Sequence, residues 1–275
     1  MKALERTTNG PTWVRLTDEQ MSGEALQPYG DGVLSDGYMV SKTPHEPGQK
    51  MLAVFEGEIW VALYEFTGGE NVATFFPGDE FVYVVAGTLT LTDARTGETR
   101  TFARGEHVLI PKGWQGSWAN EGFYREVAVC SRDWLRPYTR TFQDGIVDPE
   151  RRTTFLAVDP RDVSLDAGSA HAAGPRSAHV HGGDLLVRVV EDDCGDWPSS
   201  FRDDRDVFVQ LIDGTVVLRD DDGDSETFAA GDCFIVFGGA SERWHSPDGY
   251  EALLVQAGVA ADFRDAAERA VGAGR

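Results

Sequence analysis

The chain repeats itself. The segment TLTLTDARTGETRTFARGEHVLIPKGWQGSW, from Thr88, runs parallel to TVVLRDDDGDSETFAAGDCFIVFGGASERW, from Thr215. Matched residues recur 126 to 127 positions apart: Gly87 with Gly214, Phe102 with Phe228, Gly105 with Gly231, Gly113 with Gly239, Trp118 with Trp244, and Tyr124 with Tyr250. So many glycines and aromatics at one offset imply two homologous domains. The one-residue slip falls in DARTGE against DDDGDS, turns in which a deletion costs little.

Within each copy, runs such as TLTL, HVLI and REVAV alternate apolar and polar residues and are bounded by Gly, Asp and Pro, the pattern of short strands joined by turns. About a hundred residues of closely spaced strands per copy predict a closed or sandwiched β-barrel, which removes unpaired edges. The Ala-rich tail AADFRDAAERAVGA has apolar residues at helical spacing and predicts a short C-terminal helix. The expected organisation is an arm over residues 1–45, a first barrel over 46–140, a connection over 141–165, a second barrel over 166–257 and the helix over 258–275.

Composition narrows the function. Lys plus Arg number 25 against 46 Asp plus Glu, a net charge of −21, which repels nucleic acid and anionic membrane surfaces. Three scattered cysteines, Cys130, Cys194 and Cys233, form neither a disulfide framework nor a CxxC metal knot. No stretch reaches the ~18 apolar residues of a membrane span, and MKALERTTNGPTWVRL lacks a signal-length apolar run. The expectation is a cytoplasmic protein, without nucleic-acid or membrane partners, that acts on a small molecule. GxSxG, P-loop, GxGxxG and HExxH motifs are absent.

Gly105, Pro111, Gly113 and Asn120 fit a pattern of Gly, five residues, Pro-x-Gly, two residues, a ligand position, three residues, Asn. Glu80 and Gly87 fit the Glu and closing Gly of a companion motif. On these motifs both repeats resemble cupin domains, over roughly residues 50–130 and 180–257, and PKGWQGSW is similar to the subgroup that includes ureidoglycine aminohydrolases. The resemblance implies an all-β fold of two tandem jelly-roll barrels, a bicupin, assembled further as a homodimer. Metal-dependent members of the family hold manganese, iron or similar ions with three His and a Glu, or with a set containing Glu, His and Gln.

This chain departs from that set. In the first repeat the ligand positions are Ala73 and Phe75, or Thr74 and Phe76 on a shorter spacing, with Gly116 in the second motif. In the second repeat Ser200, Arg202 and Glu242 stand where His would, Val207 replaces the Glu, and Phe237 replaces the motif Pro. One carboxylate cannot hold a divalent ion with useful affinity, so the expectation is no metal cofactor. His179 and His181, two apart in SAHVHGGD, would share a strand face and are the remaining metal candidates; by position, however, HVH corresponds to the early strand AVF at 53–55.

If Gly116 faces inward, Trp118 and Asn120 do too, and the first barrel encloses Glu80, Phe75 and Trp118, with Trp60 and Tyr64 on one strand face as further lining. Burial raises a carboxyl pKa towards neutrality, the condition for general acid/base work. The alternative is a structural hydrogen-bond role for Glu80. In the second barrel Arg202 and Glu242 are expected to approach each other beside Trp244, as a structural bridge or as a ligand clamp. Three functional readings follow: a metal-independent isomerase, lyase or hydrolase using Glu80; a non-catalytic bicupin binding a metabolite or partner protein; and a metal-dependent enzyme resembling ureidoglycine aminohydrolase.

Overall fold

The computed structural model describes residues 12–28, 39–43, 49–131, 154–163, 165, 175–193, 195–198 and 205–258. They are almost entirely β-structure, in two sheets of nine strands each. The only α-helix among them is the single turn Asp18–Met21, closed by a capping box between Thr17 and Gln20. The C-terminal helix expected over 258–275 lies outside the described residues, apart from Gly258. No helix among the described residues is long and apolar enough to cross a membrane.

In the first unit the long strands Ile59–Ala73, Glu80–Asp93 and Gly116–Ser131 carry the wall. Gly116–Ser131 pairs along most of its length with both of the others. Register shifts at Thr67/Gly69, Val84/Ala86 and Gly87/Thr90 let each strand bend from one face of the jelly roll into the other. Inward positions alternate as a two-residue period demands. Trp60, Ala62, Tyr64 and Phe66 face the same core as Val82, Val84, Trp118, Tyr124, Ala128 and Cys130.

The second unit repeats this plan. Val207–Asp220 pairs with Cys233–Val236, Tyr250–Ala257 and Ser225–Ala229, and its core gathers Val207, Val209, Leu211, Phe228, Phe234, Trp244, Tyr250 and Leu254. Even an irregularity is shared. Ala53 pairs with Ala62 but Phe55 with Val61, and His179 pairs with Arg188 but His181 with Val187. The equivalence of HVH with AVF therefore extends to a bulge at the same place. That bulge corrects the expectation for the two histidines. Directly paired residues share a face, so His179 lies on the face of Arg188 and His181 on the opposite face with Val187.

The arm and the connection both supply barrel strands. Trp13–Arg15 pairs antiparallel with Cys233–Val236 and belongs to the second unit, whereas Leu156–Val158 pairs with His107–Ile110 and belongs to the first. The two additions occupy equivalent edges and deliver equivalent plugs. Phe155 meets Phe102 edge-on at 6.0 Å, while Trp13 joins the core around Phe228 and donates from Nε1 to Glu226 Oε2 at 2.6 Å.

Candidate active site

Glu80 opens its strand, and the residues before it are held in place by main-chain and carboxylate contacts. Asp79 Oδ1 accepts from the Lys112 N–H at 2.8 Å and the Asp79 carbonyl accepts from the Ser131 N–H at 2.9 Å. Phe76 exchanges main-chain hydrogen bonds with Gly113 and Trp114. The carboxyl is thereby delivered opposite Cys130, with Glu126 opposite Val84 further along the same strand pair.

Glu126 shares its face with Tyr124, Ala128 and Cys130, all members of the inward cluster. The barrel thus holds two carboxyls rather than the single acid expected. Glu80 is 5% and Glu126 2% exposed. The Cys130 thiol donates to Glu80, and the Tyr124 hydroxyl donates to Glu126 Oε2.

Burial dominates the electrostatics. It pushes the Glu80 carboxyl up to about 8 against the opposing hydrogen bond from Cys130. Glu126 is driven well above the carboxylate range by burial and then by the charge of Glu80, with the Tyr124 hydrogen bond working the other way. Burial likewise raises Tyr124 and Cys130, and the two acids raise them further. The outward-facing Glu65 on the neighbouring strand behaves oppositely. Burial raises it, but ion pairs with Lys50 at 2.8 Å and Arg125 at 2.6 Å outweigh this and lower its pKa.

Trp60, Tyr64 and Trp118 all lie in the inward cluster. Phe75 does not. Its strand ends at Ala73, so the two-residue alternation stops short of it, and Phe76 turns inward instead, 5.6 Å edge-on from Trp114 and 6.4 Å from Trp118. Asn120 is buried and donates from Nδ2 to the Gly122 carbonyl at 2.8 Å. Gly116 offers no inward ligand position. A Cβ there would lie 2.2 Å from the Thr92 carbonyl oxygen and 2.3 Å from the Trp114 ring. The indole of Trp114 fills the space that a metal-binding imidazole would need, so these residues do not fit a three-His-plus-Glu ion. Among the described residues no group of three His, Cys, Asp or Glu is arranged to hold a metal, and His179 is exposed.

In the second barrel the positions matching Glu80, Val84 and Glu126 are Val207, Leu211 and Ala252, all buried and apolar. The hydroxyl of Tyr250, counterpart of Tyr124, consequently has no hydrogen-bond partner among the described residues. Glu242 and Trp244 are buried together, with Trp244 Nε1 donating to Glu242 Oε1 at 3.1 Å. Arg202, the expected partner of Glu242, lies outside the described residues. The inward-facing pair Arg188 and Gln256, joined at 2.9 Å, escaped the sequence reading. So did Glu126, although Ala252 at its place in the other repeat marks a substitution worth noticing.

Residues 52–126 match the family of EutQ-like cupin domains. No curated protein matches the sequence. Among solved structures, the chain is similar to a protein of unknown function of the DUF861 family from Pseudomonas syringae pv. tomato, at 19% identity and a TM-score of 0.57, covering 90% of this chain and 100% of that one. It is similar to a cupin 2 conserved barrel domain protein from Leptotrichia buccalis, at 12% identity and a TM-score of 0.55 over 78% and 91% of the two chains. A salicylate 1,2-dioxygenase from Pseudaminobacter salicylatoxidans shares 13% identity and a TM-score of 0.50 over 73% and 71%. At such identities the structural likeness is one of fold. Together with the domain matched over residues 52–126 and the glycine and proline spacing of the motifs, it shows a cupin fold.

Proposed function

We propose that the first barrel performs general acid/base chemistry on a small molecule, of the isomerase, lyase or hydrolase kind, with Glu80 as the group that moves the proton. The carrying observation is the buried pairing of Glu80 and Glu126, each hydrogen-bonded to one neutral donor. A carboxyl near 8 stays largely protonated at neutral pH yet ionises readily, so it can give a proton to a leaving group or take one from carbon. Glu126, fixed by Tyr124, stores the second proton and couples the two ionisations. The second barrel, with Val207 and Ala252 at these positions, is assigned a structural part in this reading.

The test is Glu80→Gln, with folding verified by circular dichroism. Turnover of a substrate identified by metabolite screening is expected to fall by about 10²- to 10⁴-fold, the usual contribution of a positioned acid or base. Unchanged turnover removes Glu80 from the chemistry and favours the second reading, a binding protein with no reaction.

A further inference from the structure

We propose that the ligand of this site is a small organic cation, an amine or quaternary ammonium, received between the Glu80 and Glu126 carboxyls and the inward aromatic rings. The inference rests on the reading of Glu80 and Glu126 as the working pair and adds the charge and shape of what they meet.

Neither carboxyl meets a cation among the described residues: Glu80 is hydrogen-bonded to Cys130 and Glu126 to Tyr124, and the charge of Glu80 bears on Glu126. That is not the habit of this sheet. On the outward face Glu65 takes both Lys50 and Arg125. A buried carboxylate without a counter-charge is costly, and a bound cation supplies one.

The walls favour the same class. Trp60, Tyr64 and Phe66 occupy inward positions on one strand, with Ala62 between the first two, and their ring centroids are 6.0 and 5.8 Å apart. Phe66 continues to Tyr124 at 6.1 Å, Tyr124 to Trp118 at 6.5 Å, and Trp118 to Phe76 at 6.4 Å. Aromatic rings attract ammonium groups, and this belt lies in the core into which Glu126 and Cys130 also face. Trp60, Tyr64 and Phe66 each keep 8% exposure and Trp118 6%, whereas nearly every other member of the cluster is at 0 or 1%. The cluster also holds an unused donor, Trp114 Nε1, fully buried with no acceptor among the described residues. An oxygen on the ligand would satisfy it.

Three probes of one shape decide the matter: tert-butylammonium, uncharged tert-butanol and negative pivalate, titrated calorimetrically into the intact protein between pH 6 and 8. The expected result is tert-butylammonium binding at least about tenfold tighter than tert-butanol, no uptake of pivalate, and affinity rising towards tenfold per pH unit as the cation displaces one carboxyl proton. Glu126→Gln is expected to weaken the cation and spare tert-butanol. Preference for pivalate or tert-butanol, pH-independent affinity, or no binding of the cation at about 50 mM overturns the proposal, and the wild-type series does so without any variant. The outcomes separate from those of the acid/base reading. Cation binding with unchanged turnover in Glu80→Gln rejects only the chemistry. Glu80-dependent turnover of a neutral or anionic metabolite, with no cation bound, rejects only the ligand class.

Discussion

Glu80 carries its proton further up the pH scale than a chain in water would allow, and folding stability must register the difference. Its carboxyl sits at about 8 in the fold against an ordinary value of 4.5. Between those limits the folded protein keeps a proton that the unfolded chain releases, so unfolding is favoured as pH rises. The contribution is complete below about 4.5 and fades as pH climbs through 8. Glu126, raised for the same reason, acts in the same direction. Urea unfolding from pH 5 to 8 should show stability falling with a slope of up to about 1.4 kcal/mol per pH unit per group, and Glu80→Gln should flatten it. At this scale the sequence was half legible. The motif spacing singled out Glu80, but Glu126 lay in REVAV, where a strand could be read and its face could not until Tyr124 was seen turned inward. Phe75 and Phe76 were confused because alternation holds only while the strand lasts, and it lasts to Ala73.

Among the elements, paired glycines mark where each long strand must turn under its neighbour. Gly87 has a φ of +72°, and a Cβ there would stand 1.9 Å from the Phe123 carbonyl oxygen. Gly214 has a φ of +79°, with the Gly249 carbonyl oxygen at 2.1 Å. Either position changed to Ala combines left-handed strain with a main-chain clash, and the expected cost is above about 3 kcal/mol by chemical denaturation. Gly105→Ala is the control. Its φ is +90° but nothing lies within 4 Å, so only about 1 kcal/mol of backbone strain is expected. These glycines were visible as repeat markers because backbone conformation admits few substitutes. The bulge that parts His179 from His181 was not, since an extra residue in a strand leaves the alternating pattern intact on either side of it.

For the molecule as a whole, the placement of Trp13–Arg15 means that the second barrel is not one continuous stretch of chain, since it takes a strand from ahead of the first. Trp13 is 3% exposed within the second core, and Trp13→Ala should cost about 3–5 kcal/mol. Amide exchange should report the loss along Val207–Leu211 while Phe81–Val84 keeps its protection. The repeat gave away the two barrels. It could not give away the edge strands, because Trp13–Arg15 and Leu156–Val158 are three-residue strands with too little pattern to name a partner. The arrangement also sets a timetable for biosynthesis. Trp13 leaves the ribosome before any strand of the first barrel, yet its indole partner Glu226 is made 213 residues later, roughly 10 to 40 s at ordinary translation rates. Throughout that interval the nascent chain carries an unseated tryptophan, and a strand made ahead of the whole first barrel waits for that barrel to be completed before it finds its place.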